Sequence, residues 1–415
     1  MDLPLTIDGV LPPDLQGTLL RAGPGRTGSG GALHAIELRD GSAVSYRSAD
    51  STADATVFWH AGSVLALAET GLPQQFSRHL APEEFGDGLT MPVASHTHLA
   101  AGHRVLFGLD SGGETTQLRA GEWDASGGLV SSLAVTLERE TWQHDFGVTE
   151  RHLVLVESPT EHSSALVEGG AAVPYRWVPG AETWVAVVAR DGDGSDVRWF
   201  RLDPCLVTHV LHAYDEGGDS GAIVLYVCCY PVPEKGQPVD LAASVLGAAG
   251  IGESLIGGGL PTLERWRISG ERVERAQIDD RFMEYARTDP LTEGGAFRHG
   301  YCVELAAGVG GGGDIVVDPL GLLRIDTARD EVATWSPEPH HTASEPLFVR
   351  AADGHGDDEG WLLSVVFDAT RDASDLYVLD ASSFSVRSRP VAVVHLPVAL
   401  PFRSHGEWVD AARYR

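Results

Sequence analysis

Short apolar runs, rich in β-branched or aromatic side chains, recur along most of the chain and stop at Gly, Asp or Pro. They include Ser63–Ala68, Arg104–Gly108, His152–Val156, Trp184–Val188, Ala222–Val227, Trp361–Phe367 and Leu376–Leu379. Runs of this length and composition predict strands, and helical periodicity is scarce. Asp-Gly pairs starting at Asp8, Asp40, Asp87, Asp191 and Asp193 suit tight hairpin turns. Many short strands joined by tight turns predict an all-β sandwich, barrel or propeller. No composition break divides the chain. The glycine-rich run 308–313 has strand-like sequence on both sides and reads as a loop inside one domain spanning 1–415. A single all-β unit of that length exceeds an ordinary sandwich and fits a propeller of about six to eight blades, at roughly 40–60 residues per four-stranded blade.

Charge narrows the partners. Acidic side chains outnumber basic ones 59 to 30, for a formal net charge of −29, and Lys235 is the only lysine. A surface this negative repels nucleic acid and offers no polybasic anchor for anionic lipid. The expected ligand is neutral, or a cation such as a metal, and no protein partner is implied. Four cysteines, Cys205, Cys228, Cys229 and Cys302, form no C-x-x-C spacing, which predicts a reduced cytoplasmic chain without disulfides or a thiolate zinc site. The start, Met1-Asp2-Leu3-Pro4, lacks the basic and apolar regions of a signal peptide. The most apolar stretch, Leu241–Leu260, is glycine-rich and carries Glu253. It is a poor membrane span and reads as a surface loop suited to weak peripheral membrane contact.

Seventeen histidines add candidate chemistry, since neutral imidazole is the commonest ligand for divalent transition metals. Most lie in polar, loop-like or strand surroundings where solvated or core histidine is the default. His96, His144, His209 and His405 stand in more specific contexts, too far apart for a local motif such as H-E-x-x-H. They can share a site only in a closed fold; in a propeller, one histidine from each of four inner strands can converge on the axis.

The residues around these histidines carry a resemblance. Gly17-Thr-Leu-Leu-Arg-Ala-Gly-Pro24 resembles a G-x-x-x-R-N-G-P block with Ala22 for Asn, and His34-Ala-Ile-Glu-Leu-Arg-Asp-Gly41 with Tyr46 and Arg47 resembles an H-A-V-x-F-x-x-G…Y-x-x-R pair. His144-Asp-Phe-Gly-Val-Thr-Glu150 matches H-D-F-x-x-T-E. His209 to Gly217 resembles H-x-x-N-A-Y-E-E-G, with His212 for Asn. Ser344–Arg350, Gly360–Asp368 and Pro401-Phe-Arg-Ser-His-Gly-Glu-Trp408 follow in order. Together these blocks, spread over nearly the whole chain, resemble the carotenoid cleavage oxygenase family, which includes stilbene-cleaving dioxygenases.

The resemblance implies a seven-bladed β-propeller with Fe(II) on its axis under a dome of loops and short helices. Carried over by position, the iron ligands are His96, His144, His209 and His405. At the first, the family's A-H-P reads Ser95-His96-Thr97, and His98 is the rival ligand two residues on. Glu69, Glu284 and Glu345 take the positions of glutamates that hold ligand histidines by their free N–H. Trp142, Phe146 and Phe402 flank ligands and are candidates to line a substrate tunnel. The implied reaction is O2-dependent cleavage of a carbon–carbon double bond into two carbonyl products, with no protein nucleophile beyond the iron site. Stilbene-cleaving relatives activate a phenol with a lysine just before the first glutamate; here that position is Ala68. The resemblance therefore favours a carotenoid or apocarotenoid over an aryl alkene. Departures at Ala22, Thr97 and His212 leave open a metal-binding propeller without oxygenase activity, and family isomerohydrolases give a further alternative.

Overall fold

The strands form where the apolar runs lie, and burial on both faces explains why those runs are continuous instead of alternating. Ile223–Tyr230, for instance, is buried at every position. The structure is a computed structural model that describes residues 5–24, 31–53, 55–69, 71–84, 93–111, 115–171, 173–217, 221–231, 239–241, 259–309, 315–400 and 405–414. These are almost wholly β, with helix confined to short pieces such as Ser164–Glu168 and the 3-10 turn Pro290–Thr292. All seven apolar runs fall in strands, among them Ser63–Leu67, His103–Asp110, Thr183–Ala189 and Gly360–Asp368.

Asp-Gly pairs close a tight hairpin at one of the expected positions and not at others. Asp40 and Gly41 take φ of 52° and 69° and close the hairpin in which Arg39 pairs with Ser42. Asp191 and Asp193 lie in the longer connection between Thr183–Ala189 and Arg198–Leu202. Asp8 and Gly9 make no hairpin: they end the strand Thr6–Gly9, which pairs with Ala392–His395 from the far end of the chain. Asp87 and most of the 308–313 run lie outside the described residues, although Val309 and Ile315 on either side of the run pair with each other.

Antiparallel sheets follow one another along the chain. Four-stranded sheets are built from residues 56–83, 97–137 and 146–202, and a seven-stranded sheet from 206–335. In the seven-stranded sheet, the 17-residue strand Arg272–Thr288 pairs with Thr262–Ser269 along its first part and with His299–Val309 along its last. One long strand thus ends one four-stranded unit and begins the next. A six-stranded sheet from 341–395, completed by Thr6–Gly9, comes after, and in the last sheet Gly406–Asp410 pairs with Gly17–Arg21, so strands from both ends of the chain share a ladder.

Apolar clusters lie between successive units. Phe58, Leu106 and Trp123 fill one such gap. Phe107, Phe146 and Val188 fill the next, followed by Val187, Val210 and Leu225. Leu211, Met283 and Leu323 then join the two halves of the long sheet, and Val303, Phe348 and Leu379 continue the series. Ile36, Tyr46 and Val365 link the 341–395 sheet to the last sheet. Leu33, Val64 and Val409 return the series to its start.

A small three-stranded sheet, Thr160–His162, Tyr175–Trp177 and Val239–Asp240, lies outside this series. Its apolar cluster includes Trp142, Trp177, Leu206 and Leu241. All four cysteines are free and buried. Among the described residues no helix is long and apolar enough to cross a membrane. Of the Leu241–Leu260 stretch only the ends are described, and Leu241 and Leu260 are buried.

Candidate metal centre

Each of the four singled-out histidines sits on, or just before, the edge strand of a different sheet. His96 precedes Thr97–Ala100, His144 precedes Phe146–Val148, His209 lies within Leu206–Asp215 and His405 precedes Gly406–Asp410. All four are buried, and they present one nitrogen each within 4.8 Å of one another. Local irregularity aims two of the participating groups. The ladder of Leu206–Asp215 slips between Val207 and Val210, which leaves His209 in a bulge. The ladder beyond Glu284 slips as well, where Tyr285 adopts a φ of 54°. Bulges of this kind turn a side chain out of the strand's alternation.

Three carboxylates face the outer nitrogens. His144 Nδ1 donates to Glu69 Oε2 at 2.9 Å, and His405 Nδ1 to Glu345 Oε1 at 2.7 Å. His209 Nδ1 donates to Glu284, which also accepts from the Thr208 hydroxyl. A carboxylate on Nδ1 fixes the proton there and leaves the Nε2 lone pair free. These lone pairs point inward: His144 Nε2 lies 3.3 Å and His405 Nε2 3.1 Å from His209 Nε2, and His96 Nε2 is buried with no partner. Converging acceptors without a donor repel one another, and a cation resolves that repulsion. The donor set, four imidazoles with neither thiolate nor carboxylate, fits a divalent transition metal with coordination positions to spare.

Electrostatics agree with this arrangement. Burial, with the other imidazoles adding to it, holds His96 well below the usual histidine pKa. Burial also takes His405 down to about 4 despite Glu345. At His209 burial is outweighed by Glu284, and its pKa is raised. Burial would raise Glu345, but Arg287, His405 and Arg21 overcome this and hold it well below the ordinary carboxylate value. Arg287 Nε donates to Glu345 Oε1 at 2.6 Å, and the Gly406 N–H to Oε2 at 2.9 Å. Glu69 is held by neutral donors besides His144, namely Ser95 Oγ and Trp142 Nε1, each at 3.3 Å.

The structure separates His96 from its rival. His98 is turned away from the cluster, with Nε2 3.0 Å from Asp145 Oδ1 and Nδ1 3.1 Å from Glu293 Oε1. Two carboxylate acceptors on one ring require both N–H groups. Burial opposes that charge, yet Glu293 and Asp145 raise the His98 pKa to about 10. Trp142 is buried, and its ring lies 4.8 Å from that of His144. It borders a cavity of about 100 Å³ shared with Glu69 and Tyr175. Phe146 is fully buried against Phe107 in the core between two sheets. Phe402 lies outside the described residues. His212 donates to the Gly295 carbonyl at 2.6 Å and lies 3.2 Å from Thr288 Oγ1, so it serves the fold beside the centre. A larger cavity, about 470 Å³, opens on His96 and is rich in charge, with Arg104, Arg287, Arg350, Asp289 and Glu293 in its wall.

Asp145, Arg21, Arg287 and Glu293 escaped the sequence reading as parts of the centre. Asp145 and Arg21 had a signal, lying inside the H-D-F and G-x-x-x-R blocks; Arg287 and Glu293 meet the centre only through the fold.

Successive antiparallel sheets and four convergent histidines define an all-β protein with a metal-binding group. Residues 30–410 match the family model described as RPE65, retinal pigment epithelial membrane protein. The chain belongs to this RPE65/carotenoid cleavage oxygenase family, and with that membership it is an enzyme of the alkene-cleaving oxygenase type. It is 27% identical to an isoeugenol monooxygenase of Pseudomonas putida over 392 residues, covering 86% of this chain and 75% of that one. Identity is 25% over 493 residues to a carotenoid cleavage oxygenase of Mycobacterium tuberculosis (strain CDC 1551 / Oshkosh), covering 98% and 94%. The crystal structure of cobalt-substituted Synechocystis ACO superposes with a TM-score of 0.83 at 21% identity, covering 99% of this chain and 96% of that one. At that identity the structural likeness is one of fold.

Proposed function

We propose that this protein is a non-haem Fe(II) dioxygenase that cleaves a carbon–carbon double bond of a carotenoid or apocarotenoid with O2, giving two carbonyl products. The observation that carries the reading is the set of four inward Nε2 atoms, three of them backed by glutamates. The proposed architecture is a single seven-bladed propeller over 1–415, with His96, His144, His209 and His405 as ligands. Its support is the run of four four-stranded sheets, one six-stranded sheet and one seven-stranded sheet whose long strand divides it into two halves, with apolar clusters that lead back to the first unit. The small three-stranded sheet around Trp142 suits part of a dome.

Bound iron would supply activation of O2, which no amino-acid side chain can provide. The chain's own part is to hold and to shield. Glu69, Glu284 and Glu345 keep the protons on Nδ1 of His144, His209 and His405, so that the Nε2 lone pairs of these three face inward beside His96. Trp142 and Tyr285 lay apolar rings beside the imidazoles, at 4.8 Å from His144 and 5.3 Å from His209, and so keep water from those edges. Ala68, partly buried in an apolar cluster next to Glu69, supplies no base to ionise a phenol. This favours a polyene over a hydroxylated aryl alkene. The name of the Pseudomonas relative supports the aryl-alkene reading, which is the rival substrate class. Peripheral membrane contact through 241–260 and a cytoplasmic setting with reduced cysteines belong to the same proposal.

The test is to load the protein with Fe(II) without oxygen and then expose it to ¹⁸O2 with carotenoids, apocarotenoids and stilbenes in turn. Labelled aldehydes or ketones from the polyenes are expected. Products from stilbenes alone would move the assignment to aryl alkenes. Retention of less than about a tenth of an equivalent of iron would sink the iron reading.

A further inference from the structure

Three ligand histidines have a glutamate on Nδ1, and His96 has none. The carboxylate nearest to its Nδ1 is Asp145, 3.9 Å away and too far for a hydrogen bond. Asp145 is itself held by other donors. Its Oδ2 accepts from Val210 N at 2.8 Å, next to ligand His209, and its Oδ1 accepts from Phe146 N at 2.8 Å and from His98 Nε2 at 3.0 Å. His98 lies on the strand that His96 leads into, and its other nitrogen meets Glu293 at 3.1 Å.

Glu293 arrives on a segment built to enter here. Asp289 caps the Pro290–Thr292 turn through Leu291 N and is held from the far side by Arg350 Nε at 2.9 Å. Gly294 then bridges Thr149 and Tyr214, which belong to two different sheets, and its carbonyl accepts from Glu150 N at 3.1 Å. The segment therefore wedges between the stretches that carry His144 and His209, and places a carboxylate against His98.

We propose that Glu293 and His98 are positioning residues for metal binding: clamped between Glu293 and Asp145, the His98 ring anchors the strand that follows His96 and keeps Asp145 facing His96 Nδ1. Two effects follow. The strand anchor fixes where the His96 ring stands. The Asp145 charge favours a proton on the near nitrogen, Nδ1, which leaves Nε2 free to bind. His98 is therefore an indirect substitute for the missing fourth glutamate. Because the contact to His96 is longer than a hydrogen bond, the loss on breaking it belongs at the weak end of the 10–100-fold range for groups that orient ligands, about tenfold.

This inference rests on the metal reading above, and Co(II) is a suitable probe because its visible absorption reports ligand number and geometry. Co(II) affinity is measured by chelator competition, together with the absorption spectrum and the melting curve, for wild type, Glu293→Gln, His98→Asn and Arg350→Gln. The expected result is about tenfold weaker binding and an altered spectrum in Glu293→Gln and His98→Asn. Arg350→Gln, which loosens the same segment at Asp289 without touching His98, should weaken binding much less than Glu293→Gln and leave the spectrum near that of the wild type. Glu293→Gln carries the test if His98→Asn does not fold. Wild-type affinity and spectrum in Glu293→Gln would overturn the proposal, as would an equal loss in Arg350→Gln. Failure of the wild type to bind Co(II) would instead overturn the metal reading on which it stands.

Discussion

Glu69 and Glu345 do the same work on different histidines but sit in different electrostatic settings. Glu345 answers Arg287 at 2.6 Å and the buried Arg21 as well as His405, whereas the other side-chain donors around Glu69 are Ser95 and Trp142, both neutral. Glu345→Gln should weaken iron retention by about 10–100-fold. By leaving buried guanidinium charge unpaired it should also cost about 3–5 kcal/mol of stability. Glu69→Gln should show a similar loss of metal, with a stability cost nearer 1–2 kcal/mol, because neutral hydrogen bonds are weaker. Chelator competition and urea unfolding of the two variants check both numbers. Much of the centre was readable at this scale because the H-D-F and F-x-x-H-G-x-W blocks mark His144 and His405 directly. The choice between His96 and His98 was not. What decides it is the contact of His98 with Glu293, 195 residues away, and no local pattern encodes that pairing.

At the scale of elements, strands were legible because double-sided burial demands unbroken apolar runs, and Ile223–Tyr230 shows it at every position. Register was not legible. Asp8-Gly9 has the composition of a hairpin turn, but pairing with Ala392–His395 overrides that local preference. Nor does sequence mark the bulges at His209 and Glu284, since no glycine or proline interrupts either strand. The wedge at Gly294 is the most exposed of these devices to mutation. Its φ is +81°, and an added Cβ would lie 3.1 Å from the Thr149 carbonyl carbon. Gly62, at φ +85°, has nothing within 4 Å of the same position. Gly62→Ala should therefore cost only the left-handed backbone penalty, about 1–2 kcal/mol. Gly294→Ala should cost that plus the displacement of a strand, about 1–3 kcal/mol more by analogy with an overpacked core. Urea unfolding midpoints of the two variants measure the difference.

For the whole molecule, strands from the two ends of the chain meet twice: Thr6–Gly9 pairs with Ala392–His395, and Gly406–Asp410 with Gly17–Arg21. Val409 is fully buried there, against Leu33 and Val64. Removing residues 405–414 should replace a single sharp unfolding transition with a broad one at lower temperature, because the sheet that begins at Gly17 loses its strand from the far end of the chain; calorimetry would show it. A sharp transition at the wild-type temperature would mean that the join adds little. The same strand carries a consequence for how the protein is made. His405 leads directly into it, so the fourth imidazole is translated last and reaches the centre only as the join forms. A nascent or prematurely terminated chain has at most three of the four nitrogens. The full set of four inward nitrogens is therefore assembled only when this strand has paired.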